Sequence, residues 1–253
     1  MSDFVRSVAN RILPTSVRQW LQTQRRHLRF SPPINWVRFG SLRRVTPISP
    51  VFGLDRGQSI DRYYIDHFLA DHAADIRGGV LEIADNSYTT RFGGQRVTRS
   101  DVLHVQAGNP KATIVASLVS SEPIPSDAFD CIILTQTLPF IYDLRAAIRT
   151  VYRILKPGGV VLATFPGICQ ISRYDMDRWG DYWRFTSLSA QRLFEESFPA
   201  ANVTIQTHGN VLVSSAFLYG IAAEELRKEE LEYRDPNYEL QITVRAFKSV
   251  ERI

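Results

Sequence analysis

The sequence predicts an α/β fold with a doubly wound, mostly parallel sheet, preceded by an N-terminal arm. Short apolar runs bounded by turn residues recur between Val80 and Phe165, as is typical of buried parallel strands. Amphipathic helical patterns accompany these runs, and such alternation favours a sheet covered on both faces. The first 58 residues lack the alternation and hold most of the positive charge, so we expect an arm over 1–58 and the main domain over 59–253.

The arm is basic and has two interpretations. Residues 1–58 contain ten arginines against Asp3 and Asp55, a balance of +8 in a chain whose formal net charge is +4. Apolar residues about four apart on either side of Pro14 predict two short amphipathic helices, and prolines between Ser31 and Gly57 predict an extended linker. The arm either contacts anionic lipid or a polyanionic partner, or packs on the main domain with its arginines in water.

The main domain opens with a helix and a strand. Apolar residues recur at helical spacing over 60–76, and Gly78 and Gly79 end that pattern. The period then changes to the short apolar run 80–84, which is bounded by Asp85, Asn86 and Ser87.

The remaining elements follow the same logic. Runs of strand type occupy 96–102, 113–118, 130–135 and 160–165. The amphipathic helix 143–155 lies before the last of them and is stopped by the Lys-Pro-Gly-Gly sequence at 156–159. Downstream the patterns predict a helix over 187–198, a strand over 202–208, a helix within 212–232 and a final strand over 238–248.

Composition excludes several classes of protein. The two cysteines, Cys131 and Cys169, cannot build a disulfide framework or a four-cysteine zinc site, and the five histidines form no metal pattern. The longest uncharged apolar stretch, 211–223, is too short to span a bilayer, so we expect a cytoplasmic protein, peripheral at the membrane if the arm binds lipid. Residues 59–253 carry net negative charge, which disfavours a nucleic-acid partner.

Two segments carry a family resemblance. Asp127–Leu134 is a Phe-Asp-plus-apolar strand, and Ile154–Leu162 holds a Leu-Lys-Pro-Gly-Gly turn into the next strand. Their order and spacing resemble class I S-adenosylmethionine-dependent methyltransferases of the type 11 kind, over about residues 60–208. The resemblance implies a seven-stranded Rossmann-like methyltransferase fold. The run Asp177–Thr186 is similar to a bacterial subgroup associated with glycosyltransferases.

The resemblance implies S-adenosylmethionine as the cofactor and a set of residues that bind it. Glu82, Ala84, Asp85 and Asn86 match the loop after the first strand, where the family has glycines. Asp101 matches the ribose-binding acid at the end of the second strand, Ser117 and Leu118 follow the third, and Gln136 follows the fourth. Two interpretations of the altered loop stay open: Asp85 and Asn86 tolerate the left-handed backbone and keep the turn, or the cofactor site has decayed.

The loop Arg173–Arg184 is the candidate acceptor site. It follows the fifth strand and combines aromatic rings, carboxylates and arginines, which would suit a sugar-like acceptor. A carboxylate or histidine near the acceptor hydroxyl could act as general base, and the candidates are Asp175, Asp177 and His208. The alternative is that the rings cap the sheet edge while Arg–Asp pairs hold the loop.

The leading hypothesis is therefore S-adenosylmethionine-dependent methyl transfer to an oxygen of a sugar or glycan-related acceptor. The second is a non-catalytic methyltransferase-like module that docks a glycosyltransferase or a membrane surface through the basic arm. Both use a small-molecule or glycan-assembly partner, no metal and no nucleic acid.

Overall fold

The computed structural model describes residues 14, 16–17, 32–120 and 123–250. The chain divides into two compact units, 1–45 and 46–253. The amphipathic helices predicted within the first thirty residues lie outside the described part, apart from residues 14, 16 and 17. Within the described ranges, the helices are all too short or too polar to cross a membrane.

The second unit is built on one seven-stranded sheet with the order β3-β2-β1-β4-β5-β7-β6. All neighbouring strands pair in parallel except β7, which is antiparallel to both β5 and β6. This arrangement confirms the predicted doubly wound, mostly parallel fold of the Rossmann-like methyltransferase type. The strands are β1 (Gly78–Ile83), β2 (Val97–His104), β3 (Ile114–Val115), β4 (Phe129–Thr135), β5 (Leu155–Pro166), β6 (Val203–His208) and β7 (Gln241–Phe247).

Helices cover both faces of the sheet. They are α1 (Ile60–Asp71), α2 (Leu144–Ile154), α3 (Arg173–Met176), α4 (Ser187–Glu195), α5 (Val211–Tyr219) and α6 (Lys228–Glu232). Strand β4 shows how the layers form, because its successive side chains point to opposite faces. Cys131 and Ile133 pack in the cluster that contains α1, whereas Ile132 and Leu134 pack in the cluster that contains α2 and α4.

The motifs that carry the family resemblance have a structural purpose. The Asp130 carboxylate accepts hydrogen bonds from Gly79 N and Lys156 Nζ, both at 2.7 Å. It therefore ties the start of β1 to the start of β5. Gly158 has a φ of +78°, which explains a glycine in the turn that leads from α2 into the sheet.

Several elements differ from their predicted form. The first helix ends at Asp71, before its predicted end at residue 76, and β5 begins at Leu155, so the Lys-Pro-Gly-Gly sequence lies within the strand. The connection from β1 to β2 contains a π-helical turn at Thr89–Gly93 and a 3-10 turn at Gly94–Arg96. Strand β2 continues to His104, two residues beyond its predicted end. The single helix predicted within 212–232 is two helices, because Gly220 adopts a left-handed φ of +71° and ends α5.

Residues 46–58 belong to the second unit, so the division lies before the predicted one at residue 58. Ile48 N donates to Tyr219 O at 2.8 Å, and Ser49 is fully buried. Arg56 forms a fork with Glu225, with Nε to Oε1 at 2.9 Å and Nη2 to Oε2 at 2.6 Å. A segment rich in proline and glycine is therefore an integral wrap of the main unit.

Candidate functional site

A cavity of about 850 Å³ opens at the carboxyl ends of the parallel strands. Its walls come from the loops that follow β1, β2, β3, β4 and β5 and from the start of α1. Ligands of doubly wound sheets bind at this edge, because the strand order reverses there and the loops diverge. The cavity is therefore the candidate site.

Most residues predicted to bind the cofactor line this cavity. They are Glu82, Ala84, Asp85, Ser117, Leu118 and Gln136. Asn86 and Asp101 do not line it; Asn86 Nδ2 instead donates to Ser100 Oγ at 3.1 Å. Six of the eight predicted cofactor-binding residues therefore lie together at the cavity edge of the sheet, and two lie away from it.

The turn after β1 keeps its left-handed residue without a glycine. Ala84 has a φ of +69°, whereas neither Asp85 nor Asn86 has a positive φ. The expectation that Asp85 and Asn86 supply the left-handed backbone is therefore wrong. Asn109 Nδ2 donates to Ala84 O at 2.6 Å, and Ala84 N donates to Leu103 O at 3.0 Å, so neighbouring segments hold the strained residue in place.

Glu82 fixes the loop that follows this turn. Its carboxylate accepts hydrogen bonds from Thr89 N and Thr89 Oγ1, both at 2.7 Å, and from Tyr88 N at 3.2 Å. Burial raises the pKa of Glu82, and these hydrogen bonds only partly oppose the rise. Glu82 is 3% exposed and accepts three hydrogen bonds, so it orders the loop after β1.

Asp101 does not occupy the position expected of a ribose-binding acid. The expectation that it ends the second strand is wrong, because β2 continues to His104. Its carboxylate pairs with Arg99 Nε at 2.8 Å and accepts a hydrogen bond from Thr113 Oγ1 at 2.9 Å. Both contacts hold Asp101 within the strand region, away from the cavity lining.

Tyr88 lies in the loop that follows the turn at Ala84. Its hydroxyl accepts a hydrogen bond from Arg62 Nη1 at 3.1 Å, and both residues line the cavity. Burial raises the pKa of Tyr88, although Arg62 acts in the opposite direction. A phenol therefore takes up room at the cavity wall.

Asp61 and its partner Gln136 form a polar pair that sequence reasoning only half identified. Asp61, in the first turn of α1, accepts from Ser59 Oγ at 2.5 Å and from Arg62 N at 2.8 Å. Gln136 Nε2 lies 3.4 Å from Asp61 Oδ2 and 2.8 Å from Gln241 Oε1. Gln136 has a φ of +48°, and its Oε1 is buried without a partner among the described residues. The signal for Asp61 was an acid just after a serine at a helix start.

The three candidates for a general base are in different environments. Asp175 lines the cavity, where its Oδ2 accepts from Ser172 Oγ at 2.5 Å. Asp177 is exposed and is not part of the lining. His208 is 8% exposed, stacks on Tyr64 with ring centroids 5.0 Å apart and lies outside the cavity lining. The expectation that His208 reaches the site is wrong, because β6 is separated from β5 by β7.

The aromatic loop combines both predicted roles. Tyr174, Trp179 and Tyr182 line the cavity, whereas Phe185 is buried against Phe165 with ring centroids 4.7 Å apart. Trp183 is outside the lining, and its Nε1 donates to Ile141 O at 3.1 Å. Some rings therefore form the cavity wall while others attach the loop to the core.

The comparisons with known proteins agree with this geometry. Residues 77–163 match a family model described as a methyltransferase domain, which confirms the predicted domain type over that segment. The segment contains the turn at Ala84, Gln136 and the Lys-Pro-Gly-Gly turn.

Two relatives are ubiquinone/menaquinone biosynthesis C-methyltransferases UbiE from Pectobacterium carotovorum and Pectobacterium atrosepticum. Each is 30% identical over 86 residues, which is 34% of this chain and 32% of the relative. The chain thus matches about a third of the length of these curated relatives. A methyltransferase structure from Archaeoglobus fulgidus is similar with a TM-score of 0.46 and 12% identity, covering 74% of this chain and 90% of that one.

The residues present fit S-adenosylmethionine. The left-handed turn at Ala84 presents backbone to the cavity, as the altered glycine loop would have to do. The Asp61 carboxylate suits the ammonium of an amino acid, and the unpartnered Gln136 Oε1 is an acceptor for the same group. Room for both a cofactor and an acceptor exists in the cavity.

Proposed function

We propose that the chain is an S-adenosylmethionine-dependent methyltransferase that acts on an oxygen of a sugar or glycan-related acceptor. One observation carries the proposal: the left-handed turn at Ala84 ends β1 beneath the cavity and lies within the segment that matches the methyltransferase domain. In doubly wound folds the ligand approaches the backbone at this turn.

The cofactor would be held by residues of this chain that need little chemical reactivity. Asp61 and Gln136 would bind its amino-acid part, and Ser117 with Leu118 would form the wall beside its base. When bound, the cofactor supplies an already activated methyl group. The protein then has to align the acceptor and exclude water, which accounts for a site without a catalytic triad.

The acceptor would occupy the part of the cavity beneath the aromatic loop. Tyr174 and Tyr182 contribute rings to the cavity wall, where they are 65% and 49% exposed. The Arg178 guanidinium covers one face of the Tyr174 ring at 3.6 Å from its centroid. Asp175 is the predicted base that shares this wall, and its carboxylate would hydrogen-bond an acceptor hydroxyl and take its proton. Rings beside a carboxylate are the combination that a sugar ring with hydroxyl groups requires.

The alternative is a non-catalytic module with the same fold. The observation that favours it is Tyr88, whose side chain lines the cavity next to the turn at Ala84. If this ring blocks the cofactor, the cavity would serve a partner or another ligand. Fold alone does not decide between these two functions.

The test combines binding and transfer on the full chain. Calorimetry with S-adenosylmethionine and S-adenosylhomocysteine measures cofactor binding, and labelled S-adenosylmethionine with nucleotide sugars or oligosaccharides measures transfer. Binding together with labelled sugar supports the enzyme. Binding of neither cofactor by folded protein contradicts the enzyme and favours the module, whereas binding with transfer only to non-sugar acceptors contradicts the acceptor class.

We also propose that the N-terminal unit places the enzyme at an anionic membrane surface, on the cytoplasmic side, beside a glycosyltransferase. Within its described residues, Ile34 is 91% exposed and Trp36 is 67% exposed. Arg38, Arg43 and Arg44 follow in the same segment, without an acidic residue between Ser31 and Val45. Exposed apolar rings beside arginines suit the interface of a membrane that contains anionic lipid.

Vesicle sedimentation tests this second proposal. The full chain should bind vesicles that contain anionic lipid at low ionic strength and release them as salt rises. Arg43→Ala together with Arg44→Ala should weaken binding about thirtyfold, given about 1 kcal/mol for each arginine near the surface. Arg145→Ala, a change in the second unit, is the matched control. Equal binding to neutral vesicles would contradict an electrostatic surface.

A further inference from the structure

The carboxyl end of β2 carries a histidine where the predicted ribose-binding acid is absent. The cavity-lining residues at the end of this strand and just after it are His104, Val105 and Gln106, and none of them is acidic. In doubly wound folds an acid near the end of the second strand accepts hydrogen bonds from ribose hydroxyls. The nucleoside end of the cavity therefore needs another acceptor.

The hydrogen bonds of His104 determine which of its ring nitrogens can accept. Nδ1 lies 2.7 Å from Gln106 O and 3.3 Å from Gln106 N. A carbonyl oxygen can only accept, so the shorter contact assigns the ring proton to Nδ1. Nε2 then carries a lone pair, and it has no hydrogen-bond partner among the residues that the structure describes.

The ring of His104 is held in position from two sides. Its backbone is fixed in the sheet, where His104 pairs with Val115 and its carbonyl accepts from Ala116 N at 3.1 Å. Trp179 of the aromatic loop meets the imidazole edge to face, with ring centroids 5.5 Å apart and an interplanar angle of 82°. Trp179 also lines the cavity, and its backbone N donates to the backbone O of Asp175 at 2.7 Å.

We propose that His104 Nε2 accepts a hydrogen bond from a ribose hydroxyl of the cofactor and that Trp179 is the positioning residue that orients the imidazole. The proposal rests on the proposed function, since it assigns part of the same cofactor site. It also gives the aromatic loop a contact with the nucleoside end of the cavity, so one loop reaches both ligands.

Asp85 is the competing acceptor at this end of the cavity. Its carboxylate already accepts from Ser87 N at 3.0 Å and from Ser87 Oγ at 2.7 Å. Lys111 Nζ lies 3.7 Å from its second oxygen. These partners lower the pKa of Asp85 against the opposing effect of burial. Both hydrogen bonds from Ser87 go to Oδ1, and Oδ2 faces the Lys111 ammonium. His104 Nε2 has no such partner among the described residues, and the Asp85→Asn variant tests the alternative acceptor.

The experiment is a thermodynamic cycle between His104 and the ribose. Calorimetry would measure the affinity of the full chain for S-adenosylhomocysteine and for analogues that lack the 2′ or the 3′ hydroxyl. Loss of one neutral hydrogen bond should weaken binding about three- to tenfold, both for His104→Ala with the natural ligand and for the wild type with one deoxy analogue. His104→Ala should then bind that analogue no more weakly than the natural ligand.

Further variants separate the acceptor from its neighbours. His104→Glu restores an acid and should bind at least as tightly as the wild type. Trp179→Ala should weaken binding and reduce the coupling to the ribose, whereas Trp179→Phe should retain most of both. Asp101→Asn, the matched change within the same strand, should leave affinity within twofold.

The outcomes are distinguishable. If the loss of affinity from His104→Ala and the loss from each deoxy analogue are additive when they are combined, the assignment of His104 is contradicted. If the non-additive loss is found with Asp85→Asn instead, the ribose acceptor is Asp85. Both leave the methyltransferase proposal intact. No binding of S-adenosylhomocysteine by folded wild-type protein would contradict the proposed function and His104 together. Circular dichroism and melting temperature identify any variant that fails to fold.

Discussion

The Arg184 guanidinium donates two hydrogen bonds to the Asp181 carboxylate, Nη1 to Oδ1 at 2.5 Å and Nη2 to Oδ2 at 2.8 Å. Ser172 N donates to the same carboxylate at 3.1 Å, and Arg184 Nη2 donates to Gln170 O at 2.7 Å. The Asp181 side chain is 1% exposed. This pair therefore closes the base of the loop Arg173–Arg184 and fixes the part of the cavity wall that this loop forms.

We expect Asp181→Asn to lower the free energy of unfolding by about 2–3 kcal/mol, because it leaves a partly buried guanidinium without its charge partner. The 28% exposure of Arg184 keeps the effect below that of a fully buried pair. Chemical denaturation measures the change. The control is Glu196→Gln, which breaks the exposed Arg145–Glu196 pair and should leave the free energy of unfolding almost unchanged. Equal losses for the two variants would contradict the special role of Asp181.

Ala84→Gly should stabilise the protein slightly or leave its stability unchanged. A left-handed non-glycine residue costs about 1–2 kcal/mol, while glycine costs about 0.5–1 kcal/mol in chain entropy. The expected net gain is therefore up to about 1 kcal/mol in the free energy of unfolding. Gly94→Ala is a harsher comparison: Gly94 has a φ of +55° and a ψ of −134°, a region that only glycine occupies readily, so the variant should lose about 1–3 kcal/mol even though there is open space around an added Cβ. A loss in Ala84→Gly would show that the alanine methyl is needed in the turn.

Acid should destabilise the folded protein partly through His208. Burial, with Arg234 and His67 nearby, lowers the pKa of His208 to about 4. Between the unfolded value of about 6.5 and this folded value, only the unfolded chain binds the proton. Stability is therefore lost as pH falls from about 6.5 to about 4, by up to about 3 kcal/mol.

His208→Gln removes that titration and is the control. The difference in unfolding free energy between wild type and variant should shrink in this pH window, after allowance for the loss of the Tyr64 stacking contact at neutral pH. A constant difference between pH 7 and pH 4 would show that His208 does not titrate as a buried neutral group.

A chain that starts at Thr46 should fold like the full protein, whereas one that starts at Ser59 should not. The shorter chain loses the Arg56–Glu225 fork, the bond from Ile48 N to Tyr219 O and that from Ala223 N to Gln58 O. The two backbone bonds contribute about 1 kcal/mol each, so the Ser59 start should lose at least about 2 kcal/mol. Urea denaturation compares the two chains. Coincident curves would mean that 46–58 is a dispensable linker.

The sheet could be predicted from the sequence because its strands are short apolar runs that a parallel sheet buries on both faces. Runs such as 130–135 and 160–165 are apolar on both sides, as a buried parallel strand requires, and both lie within strands of the sheet. The wrap of residues 46–58 could not be predicted, because its contacts join residues more than a hundred positions apart. Proline and glycine in that segment are equally compatible with a linker and with an ordered loop.

The candidate site was predictable to the level of loops but not of side chains. The ends of predicted strands are uncertain by a few residues. Because β2 ends two residues later than predicted, the residue at its carboxyl end is His104 and Asp101 lies inside the strand. His208 lies at the end of its strand, as predicted, but β7 separates that strand from β5 and therefore from the cavity. The order of strands in a sheet is set by long-range pairing, which local sequence patterns do not show. Asp61 lines the cavity because α1 begins next to the end of β4, where Gln136 contacts it. This proximity of two distant segments cannot be predicted from a local sequence pattern.

The two neighbouring rings Tyr182 and Trp183 should respond in opposite ways to removal. Tyr182 lines the cavity and is 49% exposed, so Tyr182→Ala should cost little stability, less than about 1 kcal/mol, and should weaken acceptor binding or turnover. Trp183 is outside the lining and donates to Ile141 O, so Trp183→Ala should cost about 1–3 kcal/mol of stability. Cofactor affinity should stay within a few-fold in both variants. Melting temperature, calorimetry and an acceptor assay on the same two proteins provide the comparison, and a stable Trp183→Ala protein with impaired acceptor binding would reverse the two roles.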